Sequence, residues 1–319
     1  MNVLVLIEHD RGVVATASLE ALTAARALGS VQAVTIGAAA DSLAADLSAH
    51  GAEIVHQVHH ELLTDYCPEA WGDALAQLVW STDPAVVMAC GTDRGNEVMA
   101  HLAAITDLPF VANCISITPS DGPWPITRVR WGGSLLEQCM LSAGRKLLTV
   151  AHHAVEASTS PVACSSRSFV PDVAPSSLRS MVRTRVERAA GVTLATAPVV
   201  VGGGRGVGSS EGFGPLEELA SLLGGVVGCS RAVTNNGWRN HTDQVGQTGT
   251  RIAPDLYFAC GISGAIQHWV GAMASKKILA INTDPEANMV AKADYAVIGD
   301  LHQVVPAIST EIRRRRGLS

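Results

Sequence analysis

Short apolar runs alternate with helix-length segments along this chain, and the alternation constrains the fold more than any other feature. In the first half, the runs NVLVLI, VQAVTIG, EIVHQV and AVVMAC precede segments that predict helices over residues 16–28, 41–50, 69–80 and 95–106. Parallel strands that are buried on both faces read as continuous apolar runs, and helices connect such strands. The pattern therefore predicts an α/β fold with a doubly wound parallel sheet.

The alternation begins again after a change in composition. Residues 157–177, ASTSPVACSSRSFVPDVAPSS, are rich in serine and proline, which predicts a linker. Beyond it, PVVV, GVVGC, DLYFAC, KILAIN and DYAVIGD predict the strands of a second doubly wound parallel sheet, with helices over 215–223 and 264–274. A chain of 319 residues is expected to form two domains. We place them at residues 1–185, ending in the linker, and 186–319.

Charge and cysteine content exclude several classes of protein. The net charge of −6 argues against a nucleic-acid binder, which would show a basic face. The seven cysteines are widely spaced and form no CxxC pair, so neither a disulfide framework nor a metal site is predicted. The opening run becomes charged at Glu8, too early for a secretory signal, and no run approaches the ~18 apolar residues of a membrane span. We therefore expect a cytoplasmic protein with no membrane insertion.

The stretch GISGAIQH follows a predicted strand, where open α/β sheets bind their ligands. Gly264 allows a backbone to approach a ligand closely, Ser263 is placed to cap the next helix, and free N–H groups at a helix start favour phosphate. Gln267 and His268 lie one turn into that helix. The alternative is a surface glutamine and a core histidine on an ordinary crossover helix.

Three more polar clusters follow strands of the second half or interrupt its loops. VGGGRG contains Arg205 but has neither the GxGxxG nor the GK[ST] pattern, so it predicts a phosphate loop of no standard type or a surface loop. GCSR places Ser230 and Arg231 at a strand end, where an arginine can stack on a planar ring. QVGQTG offers amides and a hydroxyl to a heterocycle, or is an ordinary turn.

Asn282 and Asp300 each stand at the end of a predicted strand. A Rossmann-like site binds ribose or adenine at such positions, although a helix cap or an Asx-turn also explains either residue. Taken together, five polar clusters on one edge of one sheet predict a nucleotide site.

Over roughly the last 120 residues, VGQTG, GISGAIQH, INTDPEA, ADY and GDL occur in this order. In sequence and spacing this block resembles the α-subunit of electron-transfer flavoproteins. The first half fits that family's first domain in layout, an adenine-nucleotide α-hydrolase-like fold, and VRWGG at 129–133 is similar to a family element. The resemblance implies that the second domain is Rossmann-like, of the DHS-like type, and binds FAD.

The resemblance also implies which residues contact FAD. They are Arg205, Ser230, Arg231, Val245, Gly246, Gln247, Thr248, Ser263, Gly264, Ala265, Ile266, Gln267, His268, Asn282, Asp300 and Leu301. By the same resemblance, Arg231 lies over the isoalloxazine, Thr248 bonds near flavin N5 and His268 lies on the O2 side.

The region beginning at Ser263 would hold the pyrophosphate, and Asn282 and Asp300 the adenosine end. The family often has aspartate where this chain has Asn235, and lysine and proline at Thr283 and Asn288. These departures affect individual contacts and the flavin potential more than FAD binding itself.

The function implied by the resemblance is that of an electron carrier and not of a self-sufficient enzyme. Such an α-subunit pairs with a β-subunit, takes electrons from acyl-CoA or related dehydrogenases, as in fatty acid β-oxidation, and passes them to a membrane quinone oxidoreductase through an anionic flavin semiquinone. His268 and Arg231 would favour that anion. The alternatives are a bifurcating relative with a second FAD in the β-subunit, and a non-redox nucleotide-binding module.

Overall fold

The structure, a computed structural model, describes residues 1–184 and 192–317. The chain divides into two units, one formed by residues 1–131 and 135–187 and the other by residues 132–134 and 188–319. The predicted domain boundary between residues 185 and 186 lies outside the described residues.

The first unit contains a nine-stranded sheet and four α-helices within its described part. Its elements are β1 (Asn2–Leu6), β2 (His9–Asp10), β3 (Val13–Val14), α1 (Thr16–Arg26), β4 (Ser30–Ile36), α2 (Ala44–Ala49), β5 (Ala52–Val58), α3 (Pro68–Thr82), β6 (Val86–Cys90), α4 (Asp93–Thr106), β7 (Phe110–Ile117), β8 (Trp124–Arg130), β9 (Leu135–Leu141), β10 (Lys146–Val150) and β11 (Ser165–Phe169). The sheet order is β11-β5-β4-β1-β6-β10-β7-β8-β9, and β2 and β3 form a separate small hairpin.

Helices cover both faces of the parallel part of the large sheet, as the continuous apolar runs predict. Along β1, Val3 and Val5 belong to the hydrophobic cluster under α1 and α2, whereas Leu4 and Leu6 belong to the cluster under α3 and α4. This alternation follows from the two-residue period of a strand. Strand β1 is therefore buried on both sides.

The sequence did not predict two features of this sheet. Strands β7, β8 and β9 form an antiparallel extension of the parallel part. Within the stretch expected to be a linker, β11 pairs in parallel with β5, so the linker prediction is wrong for residues 165–169. The side chains of residues 165–168 are exposed, and only Phe169 of this edge strand packs against the hydrophobic core, which explains why no apolar pattern marks it.

The second unit is built on a five-stranded parallel sheet. Its elements are β12 (Val199–Gly203), α5 (Gly214–Leu222), β13 (Val226–Cys229), α6 (Arg231–Asn235), β14 (Leu256–Cys260), α7 (Ile266–Ala272), β15 (Ile278–Asn282), α8 (Asn288–Lys292), β16 (Tyr295–Ile298) and α9 (Leu301–Arg316). The sheet order is β13-β12-β14-β15-β16. The chain leaves β12 toward one edge and later returns to its other side, so a topological switch point lies between β12 and β14.

Strand β14, at the centre of the second sheet, is buried on both faces. Phe258 and Cys260 of β14 pack with residues of α5 and α9, whereas Tyr257 and Ala259 pack with residues of α7 and α8. The predicted α/β class, with two sheets of mainly parallel strands, is confirmed. Among the described residues, no helix combines the length and the apolar character that crossing a membrane requires.

Candidate functional site

A cavity of about 520 Å³ lies at the carboxyl ends of the strands in the second sheet. Every strand of that sheet contributes to it. Arg205 follows β12, Ser230 follows β13, Gly261 follows β14, Thr283 follows β15 and Gly299 follows β16. The cavity therefore occupies the edge, near the switch point, where open α/β sheets bind ligands.

Most of the residues predicted to contact a ligand line this cavity. They are Arg205, Ser230, Arg231, Ser263, Gly264, Ala265, Gln267, His268, Asn282, Asp300 and Leu301. Five predicted residues are not part of its lining: Val245, Gly246, Gln247, Thr248 and Ile266. Ile266 begins α7, and 58% of its surface is exposed.

The loop containing residues 244–250 is fastened to α7. The amide of Gln247 donates to the carbonyl of Gln267 at 2.7 Å, and Ile252 donates to the carbonyl of Gly271 at 2.8 Å. A Cβ at Gly271 would meet the backbone of Gly246, so the absence of a side chain allows the loop and the helix to approach closely. The structure thus joins the QVGQTG and GISGAIQH motifs through their backbones.

The turn that follows β14 differs in one detail from the sequence prediction. Helix α7 begins at Ile266, with Ala265 as its N-cap residue and no side-chain cap, so Ser263 does not cap this helix. Gly264 has φ of +79°, and a Cβ there would collide with the backbone of Met289. A glycine is needed at this point because the turn passes directly against the start of α8.

Asn282 and Asp300 both line the cavity and make the local hydrogen bonds that the alternative interpretation expected. The Asn282 amide nitrogen donates to the carbonyl of Ile262 at 3.0 Å, and its side-chain oxygen accepts from the amide of Asp284 at 3.1 Å. Asp300 caps α9 by accepting from the amide of His302 at 2.9 Å. These bonds fix both side chains at the rim and leave part of their hydrogen-bonding capacity for a ligand.

Two cationic side chains stand beside the cavity. Arg205 and Arg231 are exposed, and within residues 1–184 and 192–317 neither forms an ion pair with a carboxylate. A guanidinium without a carboxylate partner remains available to bind a phosphate or to stack on a planar ring. The lining also contains the carboxylates of Asp284 and Asp300, so its charge is mixed.

His268 lines the cavity, yet only 7% of its surface is exposed. Its Nε2 lies 2.8 Å from the hydroxyl of Tyr257, and its Nδ1 has no hydrogen-bond partner among the described residues. Burial lowers the pKa of His268 to about 4, and the backbone of Val245 opposes this only in part. The imidazole is therefore neutral at neutral pH.

Two residues that shape the site were not predicted as ligand contacts. The side-chain amide of Gln244 donates to the Thr248 hydroxyl at 2.9 Å, while its oxygen accepts from Thr234 at 2.8 Å. Tyr257 is the second residue of β14, and its hydroxyl shares a hydrogen bond with Nε2 of His268. Both are buried polar groups; Tyr257 lies outside the motifs, whereas the position of Gln244 within QVGQTG was a sequence signal for it.

The chemistry of this cavity fits FAD. It offers glycine turns for close approach and, as far as residues 1–184 and 192–317 show, two arginines without a carboxylate partner for the diphosphate and a buried imidazole nitrogen without a hydrogen-bond partner. A model described as the electron transfer flavoprotein FAD-binding domain matches residues 193–273. A second, described as the electron transfer flavoprotein domain, matches residues 3–176.

Curated relatives match along almost the whole chain. Electron transfer flavoprotein subunit alpha of Bacillus subtilis (strain 168) is 35% identical over 98% of both chains, and that of Mycobacterium tuberculosis (strain ATCC 25618 / H37Rv) is 38% identical over 99% of both. Protein FixB of Bradyrhizobium diazoefficiens is 33% identical over 98% of this chain and 89% of its own. The chain therefore belongs to the electron transfer flavoprotein subunit alpha family, and its second unit carries that family's FAD-binding domain.

Proposed function

We propose that the chain is the α-subunit of a heterodimeric electron carrier, with FAD bound in the cavity at the carboxyl edge of the second sheet. The observation that carries this proposal is the convergence of loops from all five strands on one cavity, within the unit that contains the FAD-binding domain. The partner would be an electron-transfer flavoprotein β-subunit.

Each group at the cavity has a definite part in this proposal. Arg205 and Arg231 provide positive charge for the diphosphate and for the flavin ring, and the turn at residues 261–265 brings backbone close to the phosphates. Asn282 and Asp300 bond the adenosine end. FAD supplies the redox chemistry when bound, and the protein binds it, orients it and sets its potential.

Thr248 and His268 are assigned to the flavin end. The hydroxyl of Thr248 is oriented by Gln244, which accepts from Thr234 and so is itself fixed. His268 lines the cavity as a neutral imidazole. Val245, Gly246, Gln247 and Ile266 belong to the proposed site through the loop and helix that carry these two side chains.

The redox partners in this proposal are acyl-CoA or related dehydrogenases as donors and a membrane quinone oxidoreductase as acceptor, in the cytoplasm. A bifurcating relative would use the same site on this chain and a second FAD in the β-subunit. The two versions make the same demands on the residues described above and differ in the number of flavins per heterodimer.

The test is to produce the chain together with its β-subunit and to record the absorption spectrum of the purified complex. We expect flavin absorption bands at about 370 and 450 nm. One released FAD per heterodimer supports the simple carrier, and two support the bifurcating version. A colourless complex that takes up no FAD on soaking refutes the proposed function.

A further inference from the structure

Three side chains that can ligate a metal ion meet in the first unit, beyond the carboxyl end of β10. Glu20 lies on α1, and His152 and His153 follow β10 after a single residue. Oε1 of Glu20 lies 3.8 Å from Nε2 of His152 and 3.3 Å from Nδ1 of His153, and one ligand atom from each side chain lies within 4.8 Å of the other two. The cysteine spacing predicted no metal site, but this cluster contains no cysteine.

The separations between these atoms suit a single ion. Ligand atoms held tetrahedrally at about 2.0–2.1 Å from Zn²⁺ lie about 3.4 Å from one another. Both distances from Oε1 of Glu20 are close to this value. The longer one exceeds a hydrogen bond, whereas an ion bound by both atoms would bridge it. Small rotations of the three side chains would therefore complete the coordination.

The backbone places the three ligands together. The amide of His153 donates to Oε2 of Glu20 at 2.8 Å, which fixes the carboxylate beside the rings. His153 has φ of +64°, a left-handed conformation that is uncommon outside glycine and is concentrated at functional sites. Successive side chains of an extended chain point in opposite directions, but here the rings of His152 and His153 stack with their centroids 3.6 Å apart.

The burial of Glu20 also favours a cation. Its side chain is 6% exposed, whereas those of His152 and His153 are 24% and 14% exposed. A buried carboxylate is costly unless a positive charge compensates it. Two protonated imidazoles in a stack would repel each other, whereas two neutral imidazoles can bind the same dication. The partly exposed histidines give an ion a path from solvent.

We propose that Glu20, His152 and His153 form a binding site for a divalent transition-metal ion, with Zn²⁺ as its simplest occupant. Imidazole suits Zn²⁺, Ni²⁺ and Cu²⁺, whereas Mg²⁺ and Ca²⁺ prefer oxygen ligands. Three protein ligands leave a fourth position for water or a small anion. Ligating histidines usually donate from their second nitrogen, but Nε2 of His153 has no hydrogen-bond partner within residues 1–184 and 192–317. The ion should therefore exchange with solvent and not be a permanent structural zinc.

The test is a titration of the purified complex with the β-subunit, freed of metal by a chelator and then dialysed. Calorimetry with Zn²⁺ alone compares wild type with Glu20→Gln, His152→Gln and His153→Gln, and His241→Gln is the control at an exposed histidine of the second unit. We expect wild type to bind one Zn²⁺ at this site, with a dissociation constant that each variant of the cluster raises at least about tenfold. His241→Gln should bind Zn²⁺ like wild type.

The same titration contains the results that would overturn the inference. They are a wild-type complex that binds no Zn²⁺, and Zn²⁺ binding that all three variants of the cluster leave unchanged. Mg²⁺ in large excess should leave Zn²⁺ bound, because the ligand set is rich in nitrogen. Displacement of Zn²⁺ by Mg²⁺ would also contradict the proposed ligands.

A second measurement needs no variant. X-ray absorption at the zinc edge, on wild-type complex loaded with one equivalent of Zn²⁺, identifies the ligand atoms directly. A nitrogen and oxygen shell with the outer scattering of two imidazoles supports the inference, and a shell of sulfur or of oxygen alone overturns it, even if Glu20→Gln fails to fold. The result does not depend on FAD because the cluster lies in the first unit. A colourless complex would thus refute the proposed function and leave the zinc measurement valid.

Discussion

Gly271→Ala should separate the loop of residues 244–250 from α7. The added Cβ would lie 2.3 Å from N and Cα of Gly246, whereas ordinary contact begins at 3.4 Å, so one backbone must move by about 1 Å. The helix at this point is itself regular, and therefore the cost comes from the collision. Overpacking of this size costs about 1–3 kcal/mol of the free energy of unfolding.

The displacement should also reach the ligand site. The hydrogen bond from the Gln247 amide to the Gln267 carbonyl, 2.7 Å long, joins the two segments that collide. Loss of this hydrogen bond costs about 1 kcal/mol and is accompanied by a shift of Thr248. Together, the two changes should weaken FAD binding by about tenfold. Stability and FAD affinity are thus expected to fall together.

Thermal unfolding and FAD titration of the heterodimer test this reasoning. The melting temperature of Gly271→Ala should fall by about 2–12 °C. Gly144→Ala is the control because nothing lies within 4 Å of its added Cβ and its φ is outside the left-handed range. It should melt at or slightly above the wild-type temperature. If the Gly271→Ala complex melts and binds FAD like wild type, the close approach of Gly271 to Gly246 contributes neither to stability nor to FAD affinity, and the reasoning is refuted.

Three further perturbations have definite expected outcomes. Burial lowers the pKa of His268 from 6.5 to about 4, so unfolding takes up a proton there, and the free energy of unfolding should fall by about 3 kcal/mol as pH drops from the higher value to the lower. In urea titrations, the free energy of unfolding of His268→Gln should depend less on pH, and a dependence as steep as that of wild type would contradict this. Arg231→Met should raise the dissociation constant for FAD about ten- to a hundredfold by removing a charged donor, and unchanged affinity would remove that role. Burial raises the pKa of Cys229 and Cys260 to about 12 while Cys164 is exposed, so a thiol reagent at pH 8 should modify Cys164 in the folded protein and the other two only on unfolding.

The sequence predicted the parallel sheets and the edge that carries the cavity because both are marked by regular patterns along the chain. Continuous apolar runs mark strands that are buried on both faces, and the polar residues that end such strands must lie at one edge. Asn282 and Asp300 show the limit of this reasoning, since each lines the cavity and also forms a local turn or cap. A residue at a strand end can therefore both line a ligand cavity and form a local turn or helix cap.

Contacts set by tertiary packing could not be predicted in the same way. Tyr257 and His268 are separated by a turn and lie on a strand and on a helix, so no period relates them. The hydroxyl of Thr248 is fixed by Gln244 within an irregular loop, where position along the chain says little about direction. The antiparallel strands after β7 were missed because Pro125 and the exposed leucines of β9 obscure the usual alternation.

The pairing of β11 with β5 affects how the protein is made. Ser165 pairs with Ile54, so the edge of the large sheet is completed by a segment that leaves the ribosome long after its partner strand. Until then, β5 presents open backbone donors and acceptors, which invite association with other chains. Synthesis of the first unit therefore includes an interval in which a chaperone that shields strand edges would increase the yield of the native protein.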